Sequence, residues 1–387
     1  MVPQAHPVGL LAGARCLAYD FGPGHPLAPV RVELAEALIE ACGLLGTHAM
    51  RLAPPEIDDG PLRRVHDASY VAAVRAASRD PADVAPGSGL GPGDTPAFAG
   101  VHEAARWICA SSLEAAGAVL RGDLVHAFNP SGGLHHAMPD RASGFCVYND
   151  VAVAIDALLD GGAERVCYVD IDVHHGDGVE RIFWDDRRVM TISLHESGEH
   201  LFPGTGAAAD IGGPDALGSA VNVPFAPGTP GDVWLETFEA VVAPLVTAFA
   251  PDVLVTQLGC DAHVRDPLAH LQLTVDDYGV IVARLHELAH EVADGRWVAC
   301  GGGGYRLVDV VPRVWTAAFA EMSQQRLAVE IPMEWRERAR ARTGEVPPAS
   351  FTDDPVTVAD ALHDHVGAVA RRAVDEIRAR VFPLHGC

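Results

Sequence analysis

The sequence predicts one doubly wound α/β domain, with a mainly parallel sheet covered by helices on both faces and a helical appendage at the C-terminus. Short β-type segments alternate with helical segments along most of the chain, as in folds built from successive strand–helix units. Several β-type segments are almost uninterrupted apolar runs, which is typical of parallel strands buried on both faces. The chain has 387 residues, of which 49% are hydrophobic and 21% charged. It can therefore bury the hydrophobic core of one large α/β domain.

Six short runs rich in apolar and β-branched residues are predicted to be strands. They are Arg15–Tyr19, Leu124–Phe128, Arg165–Asp170, Val189–Leu194, Val253–Leu258 and Trp297–Cys300. Between them, apolar residues recur with the spacing of amphipathic helices. The predicted helices are Val30–Ala41, Ala97–Leu120, Val151–Leu159, Val233–Phe249 and Asp276–Val292.

Glycine, proline and polar residues mark the breaks in this pattern. The segments Asp80–Thr95 and Phe202–Gly213 are predicted to be loops. The composition changes after about Ser323, where an arginine-rich helical piece, a proline-containing linker at Pro347–Pro355 and a terminal helix at Val356–Val381 follow one another. We therefore expect a catalytic domain at residues 1–322 and a helical appendage at residues 323–387 that packs on or near it.

Charge and composition exclude several classes of protein. Asp and Glu number 52 and Lys and Arg 28, for a formal charge of -24, which disfavours direct binding to nucleic acid or to an anionic membrane. The sequence contains no lysine, so Schiff-base chemistry on lysine is impossible. The eight cysteines form no C-x-x-C pair, and we detect neither a signal peptide nor a membrane span. A cytoplasmic protein is expected; the oligomeric state is not predicted.

Acidic residues and a histidine follow two of the predicted strands. Residues two apart in an extended chain point to the same side, so Asp170, Asp172 and His174 should project together at the end of one strand. The strand at Val253–Leu258 leads to Asp261. Ligands of open α/β sheets bind beyond the carboxyl ends of the strands. Asp172, His174 and Asp261 would form a three-ligand site with an open position for a catalytic divalent metal. The alternative, helix capping or pairing with arginine, explains so dense a group less well.

Two adjacent histidines, His135 and His136, follow a glycine turn after the strand at Leu124–Phe128. Imidazole titrates near neutral pH, so the pair suits proton transfer. From these residues alone, an exposed loop or two further metal ligands are equally acceptable interpretations. Most other histidines are expected to be surface or hydrogen-bonded core residues, among them His48, His66, His286 and His290.

Four glycines, Gly301–Gly304, come directly before Tyr305 at the end of the last predicted strand. Glycines let the backbone approach a ligand closely and adopt conformations closed to other residues. The tyrosine could then serve as a movable hydroxyl donor. A tight strand-to-helix turn without a role in chemistry is the alternative.

Five segments, taken in order, resemble the zinc-dependent histone deacetylase family. They are Gly132–Ala137, Ser143–Cys146, Tyr168–Gly178, Phe202–Gly206 and Gly301–Tyr305. The similarity runs from about Arg15 to Ala320, and Gly93–Pro96 and Met138–Ser143 make it greatest to the bacterial acetoin-utilisation (AcuC-type) branch. The resemblance implies an arginase/deacetylase-like fold. It also implies metal-dependent hydrolysis of the acetyl amide of N-acetyl-lysine in proteins, which releases acetate and would regulate acetate or acetyl-CoA metabolism.

The resemblance also implies roles for individual residues. Those matching the ligands of the zinc ion, which ferrous iron could replace, are Asp172, His174 and Asp261. His136 matches the general base and acid, His135 its electrostatic partner, and Tyr305 the residue that binds the polarised carbonyl. The carboxylates that orient the two histidines match Asp170 and Asp177. The residues matching the substrate channel and its rim are Asp94, Gly144, Phe145, Phe202 and Leu268. Those matching a structural potassium site are Asp170, Asp172, His174, Ser193 and Leu194.

Three alternative functions remain open at this point. A deacetylase of small acetylated amines, such as acetylpolyamines, would need a loop at Asp80–Thr95 that narrows the mouth of the channel. A dimanganese enzyme acting on guanidino groups would need further metal ligands. A non-enzymatic acyl-binding module would lack His136 or Tyr305, and both are present.

Overall fold

A computed structural model describes residues 7–387 of the chain. Eight strands form one sheet: β1 (Val8–Leu11), β2 (Ala49–Leu52), β3 (His126–Asn129), β4 (Val166–Asp170), β5 (Val189–Glu196), β6 (Ala220–Phe225), β7 (Val253–Gln257) and β8 (Trp297–Cys300). Their order is β2-β1-β3-β8-β7-β4-β5-β6, and every neighbouring pair is parallel. All carboxyl ends therefore meet at one edge of the sheet.

Helices cover both faces of this sheet. They are α1 (Val30–Ala41), α2 (Leu62–Val65), α3 (Ala68–Arg79), α4 (Val101–Arg121), α5 (Asp150–Asp160), α6 (Asp177–Phe183), α7 (Gly231–Phe249), α8 (Val275–Val292), α9 (Val311–Met322), α10 (Met333–Thr343), α11 (Asp360–Arg380) and α12 (Phe382–His385). Within residues 7–387, no helix combines the length and the apolar character needed to cross a membrane.

Side chains of the strands alternate between two separate cores. Phe128 and Val169 face the core formed with α1, α7, α8, α9 and α11, whereas Ala127 and Tyr168 face the core formed with α3, α4 and α5. The period of two along each strand produces this division, and burial on both faces explains the uninterrupted apolar runs. The predicted doubly wound, parallel fold class is confirmed.

Five of the six predicted strands and all the predicted long helices exist in the structure, with small shifts at their ends. The strand predicted at Arg15–Tyr19 is wrong, because this segment forms a short 3-10 helix at Cys16–Ala18. Cys16 and Tyr19, three residues apart, are both buried, and that spacing matches the period of a 3-10 turn. The prediction missed the strands β1, β2 and β6. Each is short and interrupted by glycine, arginine or proline, so none forms a continuous apolar run.

The segment after Ser323 packs against the rest of the chain at several places, of which the helices α10 and α11 provide two. The indole of Trp335 on α10 donates a hydrogen bond to the carbonyl of Leu34 on α1 (2.9 Å). Apolar residues of α11, such as Val366 and Ile377, belong to the core shared with α7 and α8. The division into residues 1–322 and 323–387 stays a prediction.

Candidate active site

The predicted metal ligands converge beyond the carboxyl ends of β4 and β7, which are neighbours in the sheet. Asp170 and Gln257 pair across these two strands. Just beyond them, Asp172, His174 and Asp261 are all buried, and their candidate ligand atoms lie within 4.8 Å of one another. The Nδ1 atom of His174 is 3.0 Å from Asp172 Oδ1 and 3.0 Å from Asp261 Oδ2. The structure thus brings Asp261 next to Asp172 and His174, from which it is far apart in the sequence.

Electrostatics at this cluster favour a bound cation. Burial would lower the pKa of His174, but hydrogen bonds to the two carboxylates raise it to about 10. Burial and the nearby charge of Asp172 raise the pKa of Asp261 to about 6. Burial would also raise the pKa of Asp172, but the charge of His135 and the contact with His174 hold it well below its usual range. Two buried carboxylates and one imidazole, crowded together, are donors that fit a divalent metal ion.

The two adjacent histidines lie next to the candidate metal ligands, and each is oriented by a carboxylate. His135 Nδ1 donates to Asp170 Oδ2 (2.7 Å), and His136 Nδ1 donates to Asp177 Oδ1 (2.7 Å). Their Nε2 atoms are 3.0 Å apart, and the ring centroids of His136 and His174 are separated by 5.8 Å. The pair is therefore positioned beside the candidate metal site, with all four predicted residues in contact.

The environment gives the two imidazoles different charge states, positive for His135 and neutral for His136. Burial disfavours the charged form of His135, but the carboxylates of Asp170 and Asp172 outweigh this effect and raise its pKa to about 9. Burial and the charge of His135 lower the pKa of His136 to about 4. Near neutral pH, His136 is thus uncharged and has a lone pair to accept a proton.

The glycine segment before Tyr305 lies against the candidate metal ligands. The amide of Gly303 donates to Asp172 Oδ2 (2.6 Å), and a Cβ atom on Gly303 would lie 1.9 Å from Asp261 Oδ2. No other residue fits at this position, because any side chain would displace a candidate metal ligand. The Tyr305 side chain is half-buried, and its amide donates to Asp266 Oδ2 (2.8 Å). Burial and the charge of Asp261 raise the pKa of Tyr305 well above its usual value, so its hydroxyl remains a donor.

Aromatic rings surround the approach to the site. The ring of Phe202 lies 5.0 Å from that of His136, and the ring of Phe145 lies 5.8 Å from that of Tyr305. Between them, a Cβ atom on Gly144 would lie 2.5 Å from the ring of His136 and 2.9 Å from that of Phe202. Phe145 has a φ of 68°, a conformation that non-glycine residues rarely adopt and that is often found at functional sites. A side chain at position 144 would collide with the rings of His136 and Phe202, so this position requires glycine.

The predicted rim residue Asp94 and the predicted channel-wall residue Leu268 differ in exposure. Asp94 is exposed, and its carbonyl is 3.0 Å from Nε2 of His25, whose ring packs on Phe145 (4.7 Å). Leu268 is half-buried, and its amide donates to Asp266 Oδ1 (3.0 Å). Asp266 therefore ties the loop of Leu268 to the backbone of Tyr305.

The residues predicted to hold potassium lie at and just beyond the end of β4 and, beside it, within β5. Ser193 pairs with Asp170 across these strands, and Leu194 follows it. The Ser193 hydroxyl accepts a hydrogen bond from the amide of Gly176 (3.4 Å), just after the segment with Asp172 and His174. The five predicted residues thus share one corner of the sheet edge.

Three residues of the site were not predicted from the sequence. Gln257 Nε2 donates to Asp172 Oδ2 (2.6 Å), Asp266 holds Tyr305, and the buried Arg31 donates to the carbonyls of Gly302 (2.6 Å) and Gly304 (3.2 Å). A polar residue at the end of an apolar strand is a signal that could have identified Gln257. Arg31, on α1, gives no such signal, because its partner segment lies about 270 residues further along the chain.

The chain is similar in sequence to known proteins over most of its length. Residues 25–322 match the family described as "Histone deacetylase domain". The chain is 40% identical over 337 residues to the acetoin utilization protein AcuC of Bacillus subtilis (strain 168), covering 87% of each chain. It is 34% identical over 342 residues to AcuC of Staphylococcus aureus (strain MSSA476), covering 88% of each. The identity to AcuC of Staphylococcus xylosus is 33% over 349 residues, which is 89% of this chain and 90% of that protein.

Proposed function

The chain belongs to the histone deacetylase family and is similar over most of its length to AcuC proteins, and on that premise we propose that it hydrolyses the acetyl amide of N-acetyl-lysine in proteins and releases acetate. One observation carries the proposal. A buried set of two carboxylates and one imidazole lies beside a carboxylate-oriented histidine pair, with the ring of Phe202 against His136 and that of Phe145 against Tyr305. A metal ion that activates water, with a proton-transfer group beside it, is an arrangement that catalyses amide hydrolysis.

The metal of this site would be zinc, with ferrous iron as the alternative, because one nitrogen and two oxygen donors suit both ions. Asp172, His174 and Asp261 would hold it, and when bound it would supply Lewis-acid activation of water and of the acetyl carbonyl. Gln257 and the amide of Gly303 each donate to Asp172, which orients that ligand.

The protein's own groups move the protons. His136 is neutral near pH 7, so it accepts a proton from the attacking water and later donates it to the leaving lysine amine. Asp177 accepts the Nδ1 hydrogen of His136, which leaves its Nε2 as the basic atom. His135, kept charged by Asp170, stabilises negative charge that develops on the substrate. The Tyr305 hydroxyl donates to the oxygen of the tetrahedral intermediate.

A potassium ion would have a structural role at Asp170, Asp172, His174, Ser193 and Leu194. Asp170 and Ser193 are paired neighbours on β4 and β5. A monovalent cation there would fix the ends of both strands and offset the buried charge of Asp170, which also orients His135.

Charge favours two substrate classes for this site. An exposed carboxylate at Asp94 can accept hydrogen bonds from the backbone amides of a peptide, which favours a protein substrate. The net charge of -24 equally favours cationic small amines such as acetylpolyamines, and this is the second candidate. Because the relatives are named for acetoin utilisation, we further propose that the deacetylase regulates acetate or acetyl-CoA metabolism.

The two substrate classes can be separated with one variant. Zinc-loaded protein is assayed on an acetyl-lysine peptide and on N-acetylputrescine, and Asp94→Ala is compared with wild type. A protein deacetylase should prefer the peptide, and the variant should raise KM for the peptide while leaving kcat little changed. Asp83→Ala, which changes another exposed aspartate of the Asp80–Thr95 loop, is the matched control. A preference for N-acetylputrescine, with Asp94→Ala neutral toward the peptide, would reject the protein substrate.

A further inference from the structure

A second group of side chains that could bind a metal ion lies at the amino ends of the strands, opposite the candidate active site. His126 is the first residue of β3, and His286 and His290 are one turn apart on α8. Each offers one ring nitrogen, and these atoms lie within 4.8 Å of one another. We propose that these three histidines bind a second transition-metal ion, of which zinc is the best match.

A carboxylate orients one of the three imidazoles. His286 Nδ1 donates to Oε1 of Glu321 on α9 (2.8 Å), so the lone pair of His286 is on Nε2. That Nε2 atom is 3.1 Å from Nε2 of His290. Histidines that bind metals commonly donate their other ring nitrogen to a carboxylate in this way, which fixes the tautomer and makes the ligand more basic. Two ligand atoms thus already point to a common position.

The third imidazole has an unused nitrogen in a buried setting. His126 is only 3% exposed, and its Nδ1 atom has no hydrogen-bond partner within residues 7–387. A buried polar atom without a partner costs free energy, so the cluster is unfavourable unless an ion binds to it.

The surroundings of the cluster suit a metal site that is buried on one side and open to water on the other. Trp297 is buried, stacks on His286 (5.9 Å between ring centroids) and meets His126 edge-on (5.6 Å). This apolar wall excludes water from one side, whereas His290 is exposed and leaves room for a water molecule as fourth ligand. Three imidazoles with a fourth position suit zinc better than calcium or magnesium, which prefer oxygen donors.

The consequence of such an ion is structural. It would join β3 to α8 directly and to α9 through Glu321, three elements that otherwise meet only by packing and hydrogen bonds. Because the cluster lies at the amino ends of the strands, the ion would take no part in the reaction at the carboxyl ends. The inference therefore does not depend on the proposed deacetylation.

The test measures metal content and not activity. Full-length protein without a histidine tag is stripped with chelator, and Zn2+ alone or Co2+ alone is titrated in, with elemental analysis and the visible absorption of Co2+ as readouts. Wild type should bind two equivalents, and His290→Ala should bind one. Asp261→Ala, which removes a ligand of the candidate active site, should retain the equivalent bound by the histidines. The matched control His363→Ala, an exposed histidine on α11 that pairs with Asp232, should still bind two.

Glu321→Gln provides a graded test of the orienting contact. It keeps an oxygen acceptor but removes the charge, so the affinity of the second equivalent should fall about 10–100-fold. Zn2+ should raise the melting temperature of Asp261→Ala and leave that of the double variant Asp261→Ala/His290→Ala unchanged. Uptake of one equivalent by wild type, or equal uptake by wild type and His290→Ala, would overturn the inference. If deacetylation fails while the two-ion pattern holds, the proposed function falls and the second site stands.

Discussion

Replacing Tyr305 with phenylalanine tests the proposed oxyanion donor. The ring packs edge-on against Phe145, with 5.8 Å between centroids, and the backbone amide of Tyr305 is held by Asp266. Tyr305→Phe keeps both contacts and removes only the hydroxyl. Because the nearby carboxylate of Asp261 helps to keep the pKa of that hydroxyl high, the group lost is a neutral donor at every practical assay pH.

The expected loss is in turnover. Removing one donor to an oxyanion typically lowers kcat by about 10²–10³, equivalent to roughly 3–4 kcal/mol. The contact strengthens mainly in the transition state, so KM should change little. The side chain is half-buried and its ring is retained, so the free energy of unfolding should change by no more than about 0.5 kcal/mol. The assay is steady-state kinetics on an acetyl-lysine peptide, with urea denaturation as the folding control.

A matched variant separates loss of the donor from loss of any tyrosine hydroxyl. Tyr70 on α3 is buried, and its hydroxyl donates to the carbonyl of Val147 (2.6 Å). Tyr70→Phe should cost about 1 kcal/mol of stability and leave kcat near that of wild type. A folded Tyr305→Phe enzyme with near-normal kcat would refute the reasoning and return the glycine segment to the role of a tight turn.

Three further predictions follow from the same geometry. His136→Ala should lose about 10²–10⁴ in kcat and His135→Ala distinctly less, since only the neutral imidazole can accept the proton; equal losses would contradict this assignment. Chelator-treated protein should be inactive on the peptide and recover with Zn2+, Fe2+ or Co2+, whereas Asp261→Ala should stay inactive; activity in stripped protein would argue against metal dependence. Asp353→Ala should lower the free energy of unfolding in urea by about 3 kcal/mol, because it leaves the buried Arg313 without its carboxylate (2.8 Å). Burial would raise the pKa of Asp353, but its hydrogen bonds and Arg313 hold it well below its usual range, so the contribution exists above about pH 4 and is lost at lower pH. Wild type should therefore lose more stability than Asp353→Ala between pH 5 and strongly acidic pH.

The parts of the site that lie along single strands could be predicted from the sequence. β4 ends at Asp170, and Asp172 and His174 lie in the bend that follows, but the period of two was enough to predict that the three residues lie together. Asp261 joins them because β7 is the neighbour of β4 and both strands end at the same edge of the sheet. This reasoning needs only the rule that ligands bind at carboxyl ends.

Contacts between distant segments could not be predicted in this way. Arg31 reaches the glycine segment from α1, and His126 meets His286 through the packing of α8 on the sheet. We expected His286 and His290 to be surface or hydrogen-bonded core residues, because the sequence near them contains no sign of a third metal ligand. Similarly, β6 was missed because Asn222 and Pro224 interrupt its apolar pattern, although it pairs fully with β5.

The most direct test of the proposed function counts acetate and free amine released from an acetyl-lysine peptide by the purified protein, before and after removal of its metal. We expect one acetate per free lysine, no release after chelation, and recovery on adding zinc back to wild type but not to Asp261→Ala. Zinc-loaded, folded wild-type protein that releases no acetate from the peptide would contradict protein deacetylation at the site formed by Asp172, His174 and Asp261.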